Sequence, residues 1–217
     1  MTIKGAVFDL DGTLLDSMPM WDHAPSRFVK SRGLIPSESL DLDVVSLNMP
    51  DTAAYIRKNY LPNESCEQIA VALNKSVEDA FLYELELKDG AADFLRALHK
   101  NSVRLCVATA TDRHLVEAVL KRHKIFDLFD GIITCSEVGE GKNVSALIFE
   151  RALEITKSEK ENTLIFEDSL YAIKPALKAG FMVAGIYDEY SRDKVSQMKK
   201  SCQFFFENWQ QAKGELL

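Results

Sequence analysis

Short apolar runs, each ending abruptly in small or polar residues, constrain the fold of this chain more than any other feature. Ile3 to Phe8 runs into Asp9-Leu10-Asp11-Gly12-Thr13, and Val103 to Ala108 runs into Thr109-Ala110-Thr111. The strand-like Gly131 to Cys135 precedes the loop Gly139-Glu140-Gly141-Lys142-Asn143, and Thr163 to Phe166 ends in Glu167-Asp168-Ser169. Runs this short, without polar alternation, suit strands buried on both faces. Helical patterns separate them. The helix beginning near Asp112 carries Leu115, Val116, Val119 and Leu120 on one face, and the helix after Ser169 carries Ala172, Ile173, Ala176 and Leu177 likewise. Met182 to Ile186 reads as a further strand, and Gln203 to Phe206 as a short one. Repeated βα units imply a parallel sheet with right-handed crossovers. The fold class expected is α/β.

This rhythm has one gap. The first strand ends near Asp9, and the next does not begin until Val103. The residues between read as helices: Trp21 to Arg32, stopped near Gly33, then Pro50 to Tyr60, with proline suited to a first turn. Ser65-Cys66-Glu67-Gln68 has capping-box spacing and opens a longer helix with Ile69, Leu73, Val77, Ala80, Phe81 and Leu85 at helical period. Gly90 to Lys100 leads back to the sheet. The division expected is an α/β domain of residues 1–15 and 88–217, with an all-helical domain of residues 16–87 inserted after the first strand.

Parallel sheets gather the carboxyl ends of their strands on one edge, so the polar clusters should converge. Asp9 and Asp11 are two apart in an extended segment and share a face. Two carboxylates so placed repel unless neutralised, and a hard cation such as Mg²⁺ does this. Gly12 allows a sharp turn, and Thr13 offers a hydroxyl. A strand closing in a plain Asp-Gly turn is the ordinary alternative for this segment taken alone. The converging set of Asp9, Asp11, Glu167, Asp168, Thr109 and Lys142 is four carboxylates, a hydroxyl and an ammonium. That inventory suits metal-assisted phosphoryl transfer and suits acyl or hydride transfer poorly.

In these residues the chain resembles the haloacid dehalogenase superfamily, in its branch of β-phosphoglucomutases and phosphoglycolate phosphatases. Phe8-Asp9-Leu10-Asp11-Gly12-Thr13-Leu14 matches the first of four ordered motifs, Val107-Ala108-Thr109 the second and Lys142 the third. Phe166-Glu167-Asp168-Ser169, followed by Ala172, Ile173, Ala176, Ala179 and Gly180, matches the fourth. Asn143 stands where a proline is frequent, and Ala172 where a glycine is frequent. The resemblance implies a Rossmann-like core and a helical cap hinged near Leu14-Asp16 and Lys88-Asp89 that closes over the site. It implies Asp9 as nucleophile forming an aspartyl-phosphate, Asp11 as acid and base, and Thr109 with the Ala110 N–H and Lys142 as phosphate binders. Mg²⁺ would be held by Asp9, Asp168 and the backbone carbonyl of Asp11, with Glu167 behind it positioning metal-bound water. The activity implied is that of a phosphatase on a small phosphorylated metabolite.

A sugar-phosphate mutase is the second reading. Enzymes of that type usually carry a cap arginine near Asn48-Met49-Pro50 and a histidine where Trp21 stands, and this sequence has neither. A non-enzymatic module that keeps the fold is the third, though no nucleophile or metal ligand is lost.

Composition narrows the partners. A net charge of -7 offers no broad basic surface for nucleic acid or anionic lipid. Cys66, Cys106, Cys135 and Cys202 lack C-x-x-C spacing and read as reduced core thiols, two of them in strands. His23, His99, His114 and His123 share no metal-ligand spacing. No apolar stretch approaches the ~20 residues of a membrane span, and the first run is too short for a signal sequence. The cytoplasm and a monomer are the default expectations.

Overall fold

The computed structural model describes residues 3–44, 47 and 49–217. Six parallel strands form one sheet: β1 (Gly5–Phe8), β2 (Arg104–Thr109), β3 (Gly131–Thr134), β4 (Thr163–Glu167), β5 (Met182–Ile186) and β6 (Phe204–Phe206). Their spatial order is β3-β2-β1-β4-β5-β6. The expected α/β architecture is therefore present, and β1, first in sequence, lies at the centre. The order reverses direction between β1 and β4, the place where open α/β sheets form a crevice at their carboxyl edge. Phe8 pairs with Val107 on one side and with Phe166 on the other, so Asp9 follows directly at that reversal.

Side chains on β1 alternate between two cores, and both are sealed by helices. Val7, Cys106, Ala108, Ile165 and Val183 pack on one face with Ile148, Phe149, Ala152, Ile173 and Ala176. These come from the helices Leu147–Thr156 and Leu170–Lys178. On the other face Phe8 stacks on Phe166 at 4.7 Å, and Phe94 and Trp209 close over both. Phe94 belongs to the helix Ala91–Lys100 and Trp209 to the helix Trp209–Leu216. The Trp209 indole N–H also donates to the Thr13 carbonyl at 3.3 Å.

The chain divides into two compact units, one running up to Asp16 and resuming at Glu86, the other spanning Ser17–Leu85. In the first, the outgoing and returning strands are tied together. Asp16 N–H donates to Glu86 O at 3.0 Å, and Lys88 N–H donates to Leu14 O at 2.8 Å. The second unit consists of the helices Met18–Ser31, Leu40–Val44, Met49–Asn59 and Cys66–Tyr83. Its core is Phe28, Val29, Leu40, Val44, Ala53, Ile56, Ile69 and Leu73. The capping box at Ser65 is made: Gln68 N–H donates to Ser65 Oγ at 3.1 Å, and Ser65 N–H to Gln68 Oε1 at 2.8 Å. Among the described residues no helix is long and apolar enough to cross a membrane.

Two expectations need correction. Cys135 is not in a strand. The Thr134 hydroxyl accepts the Glu137 N–H and caps a short helix, Cys135–Val138, which ends β3 one residue earlier. The cysteines are free as expected, but only Cys106 is buried and the other three are half-buried.

Candidate active site

Asp9 leaves β1 while still bound to the sheet, its N–H donating to Phe166 O at 3.0 Å. Beyond it the chain must turn within a few residues. Gly12 takes φ 71°, a conformation that favours glycine, and Leu14 and Leu15 N–H both return to Leu10 O. This fold-back aims the Thr13 hydroxyl at Asp168 Oδ1, 2.9 Å away at the end of β4.

Lys142 reaches the same place from the far side of β2. Gly139, at φ 85°, ends the short helix after β3, and the Ser145 hydroxyl bonded to the Glu140 carboxylate braces the loop that follows. The Lys142 ammonium lies 2.6 Å from Asp9 Oδ1 and 2.9 Å from Glu167 Oε1. It is 2% exposed, unlike the solvated position usual for a loop lysine. Glu167 and Asp168 are also buried. Ser169 holds both: its N–H donates to Glu167 Oε2 at 2.9 Å and its hydroxyl to Asp168 Oδ2 at 3.1 Å.

Asp9, Glu167 and Asp168 each bring a carboxylate oxygen within 4.8 Å of the others. Lys142 pairs with Asp9 and Glu167 but not with Asp168, so the three buried carboxylates outnumber the ammonium set among them. The electrostatics register that excess. Burial, then the charge of Glu167, pushes the Asp9 carboxyl well above its usual range, with Lys142 pulling it back. Glu167 is also raised by burial, against the pull of Lys142. Burial and then Asp9 push Asp168 up to about 7, against the Thr13 hydrogen bond. For Lys142 burial works downward, yet Asp9 and Glu167 outweigh it and the ammonium is held above its ordinary range. A hard divalent cation fits this donor set, because it supplies the missing charge to oxygen ligands. Among the described residues the metal-capable group contains no histidine. His23, for one, sits 3.1 Å from Asp41 instead.

Asp11 and Thr109 are joined through a residue that the sequence did not single out. Thr111 N–H donates to Thr109 Oγ1 at 3.1 Å, and the Thr111 hydroxyl donates to Asp11 Oδ2 at 2.5 Å. The Asp11 carboxylate is thereby turned toward β2, and it is not among the three clustered carboxylates. A hydroxyl has one hydrogen and two lone pairs, so Thr109, accepting from Thr111, keeps its hydrogen for a ligand. Ala110 sits in the exposed turn between the two threonines. Strand period does not mark Thr111, because β2 ends at Thr109 and Thr111 lies in the bend beyond it.

In the helical unit, Met20 is buried and Trp21 packs edge-on to Phe81 at 6.1 Å. Arg57 Nε donates to Glu64 O at 3.1 Å and Lys75 pairs with Asp79, so both are engaged within that unit. Asn48 lies outside the described residues.

A family model for haloacid dehalogenase-like hydrolases matches residues 6–186. The chain is 29% identical over 200 residues to a "Probable pseudouridine-5'-phosphatase" of Drosophila melanogaster, covering 89% of this chain and 86% of the relative. It is 23% identical to a "Phosphorylated carbohydrates phosphatase" of Thermotoga maritima, covering 82% of each. Its fold matches the crystal structure of a "putative beta-phosphoglucomutase" from Thermotoga maritima with a TM-score of 0.86 at 21% identity, over 99% of this chain and 100% of the other. With the family model spanning all four strand-end clusters, the chain belongs to the haloacid dehalogenase-like hydrolases and stands among their phosphoric monoester hydrolases.

Proposed function

We propose that this hydrolase is a Mg²⁺-dependent phosphatase that releases phosphate from a small phosphorylated metabolite through an aspartyl-phosphate on Asp9. The observation that carries the reading is the Asp9–Lys142–Glu167 triad beside Asp168, where a buried carboxylate at the sheet's reversal point is held by an ammonium with a net negative surplus around it. The named phosphatases among the relatives support the substrate class, which is a small organic phosphate such as a sugar or nucleoside phosphate.

Each residue has a defined task. Leu10 N–H and Lys142 both engage Asp9 Oδ1, which fixes the carboxylate and turns Oδ2 toward the incoming phosphorus. As the new Oδ2–P bond forms, the bond from phosphorus to the leaving oxygen breaks, and Asp11 gives that oxygen its proton. Asp11, held by Thr111, then removes a proton from water as the water oxygen attacks phosphorus and the bond to Asp9 breaks. The products are the alcohol and inorganic phosphate. Thr109 donates its hydroxyl hydrogen to a phosphoryl oxygen, with the Ala110 N–H beside it, and Lys142 supplies fixed positive charge. Mg²⁺, held by Asp9, Asp168 and the Asp11 carbonyl, would neutralise the charge of the phosphoryl group and of Asp9 when bound. Glu167, with Oε1 on Lys142 and Oε2 on Ser169, is a supporting residue rather than a direct ligand. The helical unit, residues 17–85, is assigned the choice of substrate.

Asp9→Asn tests the reading. An amide is a far poorer nucleophile, so the folded variant should release no phosphate from sugar, polyol or nucleoside phosphates in Mg²⁺. Substantial turnover by that variant, with an unchanged melting curve, would remove Asp9 as nucleophile and the mechanism with it.

A further inference from the structure

A cavity of about 690 Å³ lies between the loop that follows Lys142 and the helix Leu170–Lys178. It is distinct from the carboxylate cluster, none of whose members lines it. Its size falls within the roughly 300–1,000 Å³ of ordinary small-molecule sites. One wall is a single helix face: Tyr171, Lys174 and Lys178 recur at three- and four-residue spacing. The opposite wall contributes Val144 and Leu147, with Asn143 at its edge.

Three features of this cavity point to its ligand. Lys174 and Lys178 lie one helical turn apart in the lining and, among the described residues, neither has an ion pair, so both ammonium groups are open to a ligand. Glu150, the one carboxylate in the lining, is itself held by Lys160 at 3.1 Å. Val144, Leu147 and Tyr171 line the same cavity as the lysines, and Val144 and Tyr171 are 66% and 54% exposed, which leaves apolar surface beside the ammonium groups.

We propose that this cavity is a second ligand site, which takes a small organic anion: an apolar or aromatic body seated on Val144, Leu147 and Tyr171, and one anionic group between Lys174 and Lys178. The charge complementarity is local. A net charge of -7 repels anions from the chain as a whole, and the two ammonium groups that line this one cavity offset that repulsion locally. The site is separate from the phosphate-binding residues, so occupation of one should not require the other.

The fluorescent sulfonate 1-anilinonaphthalene-8-sulfonate, titrated into the full chain, reads occupancy directly. Saturable one-to-one binding is expected. The neutral analogue N-phenyl-1-naphthylamine should bind about tenfold or more weakly, because it lacks the charge that the lysines recognise. Lys174→Glu with Lys178→Glu should weaken the sulfonate by a similar factor while leaving the melting curve and Mg²⁺-dependent turnover unchanged, since both side chains are exposed. Asp9→Asn should bind the sulfonate as the parent does. Equal binding of the neutral analogue, undiminished binding by the double variant, or displacement by inorganic phosphate together with loss in Asp9→Asn would each overturn the proposal. The last result would assign the probe to the catalytic site.

Discussion

The Thr13 hydroxyl donates to Asp168 Oδ1 at 2.9 Å across 155 residues of sequence, so the turn after β1 directly orients a carboxylate at the end of β4. Among the described residues Asp168 accepts from neutral hydroxyls, Thr13 on Oδ1 and Ser169 on Oδ2, whereas Glu167 is held by the Lys142 ammonium on Oε1 and by Ser169 N–H on Oε2. Asp168, with no ion pair to give up, is therefore the ligand less committed to a protein cation. Asp168→Asn should raise the Mg²⁺ concentration for half-maximal activity further than Glu167→Gln does, and Thr13→Val should raise it by a smaller amount. A Mg²⁺ titration of phosphate release for the three variants checks the order, and a larger shift for Glu167→Gln would reverse the ligand assignment.

The same cluster sets how the metal-free protein responds to pH. Asp168 titrates near 3.8 when unperturbed and is pushed up to about 7 in the folded chain, and Asp9 and Glu167 move in the same direction. The folded state then binds these protons more tightly than the unfolded state. Linkage makes stability fall as pH rises between those two values, the reverse of the usual paired carboxylate. The metal-free protein should melt at a lower temperature at pH 7.5 than at pH 5.5. Mg²⁺ should raise the melting temperature more at the higher pH, where the carboxylates are ionised and compete least with protons. Thermal melts in chelator and in Mg²⁺ at both pH values decide this, and equal Mg²⁺ effects would mean that the cluster does not hold the cation.

Thr109 is a test of phosphate recognition independent of the metal. Its hydroxyl oxygen accepts from Thr111 N–H, and its hydrogen is left to donate. Thr109→Val keeps the β-branched shape of a buried strand end and removes that donor together with the acceptor of the Thr111 N–H. Turnover should fall about 10²–10³-fold, the scale for one such contact. The loss should be similar for every substrate, because the phosphoryl group is their common part. A loss confined to one substrate would place Thr109 against the leaving group instead.

How much of this was legible in the sequence differs between elements. β1 and its neighbours were readable because a strand buried on both faces has to be apolar throughout, and Gly5–Phe8 is. The capping box at Ser65 was readable because its two bonds are local. Lys142 was readable only from its place in the motif order, since nothing in a loop sequence shows that its ammonium will be 2% exposed between two acids. The short helices Leu40–Val44 and Cys135–Val138 were missed, because four or five residues carry too little period to register. The helix Trp209–Leu216 buries only Trp209 and Ala212, so its amphipathic pattern is thin even though Trp209 closes one core and binds the Thr13 carbonyl. Ser169 and Thr111 fell outside the sequence reading for another reason. Their roles lie in hydrogen bonds to the acids, and such bonds leave no mark in residue type.

The last prediction separates hydrolysis from phosphoryl transfer within one sugar. A mutase has to hold a bisphosphate intermediate by its second phosphate while keeping water from the aspartyl-phosphate. The helical unit carries no arginine near Met49 and has Trp21, packed against Phe81, where such enzymes usually place histidine. Without that second clamp the aspartyl-phosphate on Asp9 should be discharged by water. Inorganic phosphate should then appear in step with substrate loss, for β-glucose 1-phosphate as for any other substrate accepted. Arg57→Ala, in the helical unit, should reorder substrate preferences without stopping the chemistry, because the residues proposed for bond-making all lie in the sheet-bearing unit. Following β-glucose 1-phosphate with a coupled assay for glucose 6-phosphate beside a phosphate assay distinguishes the two outcomes. Glucose 6-phosphate formed faster than phosphate would establish the mutase in place of the phosphatase.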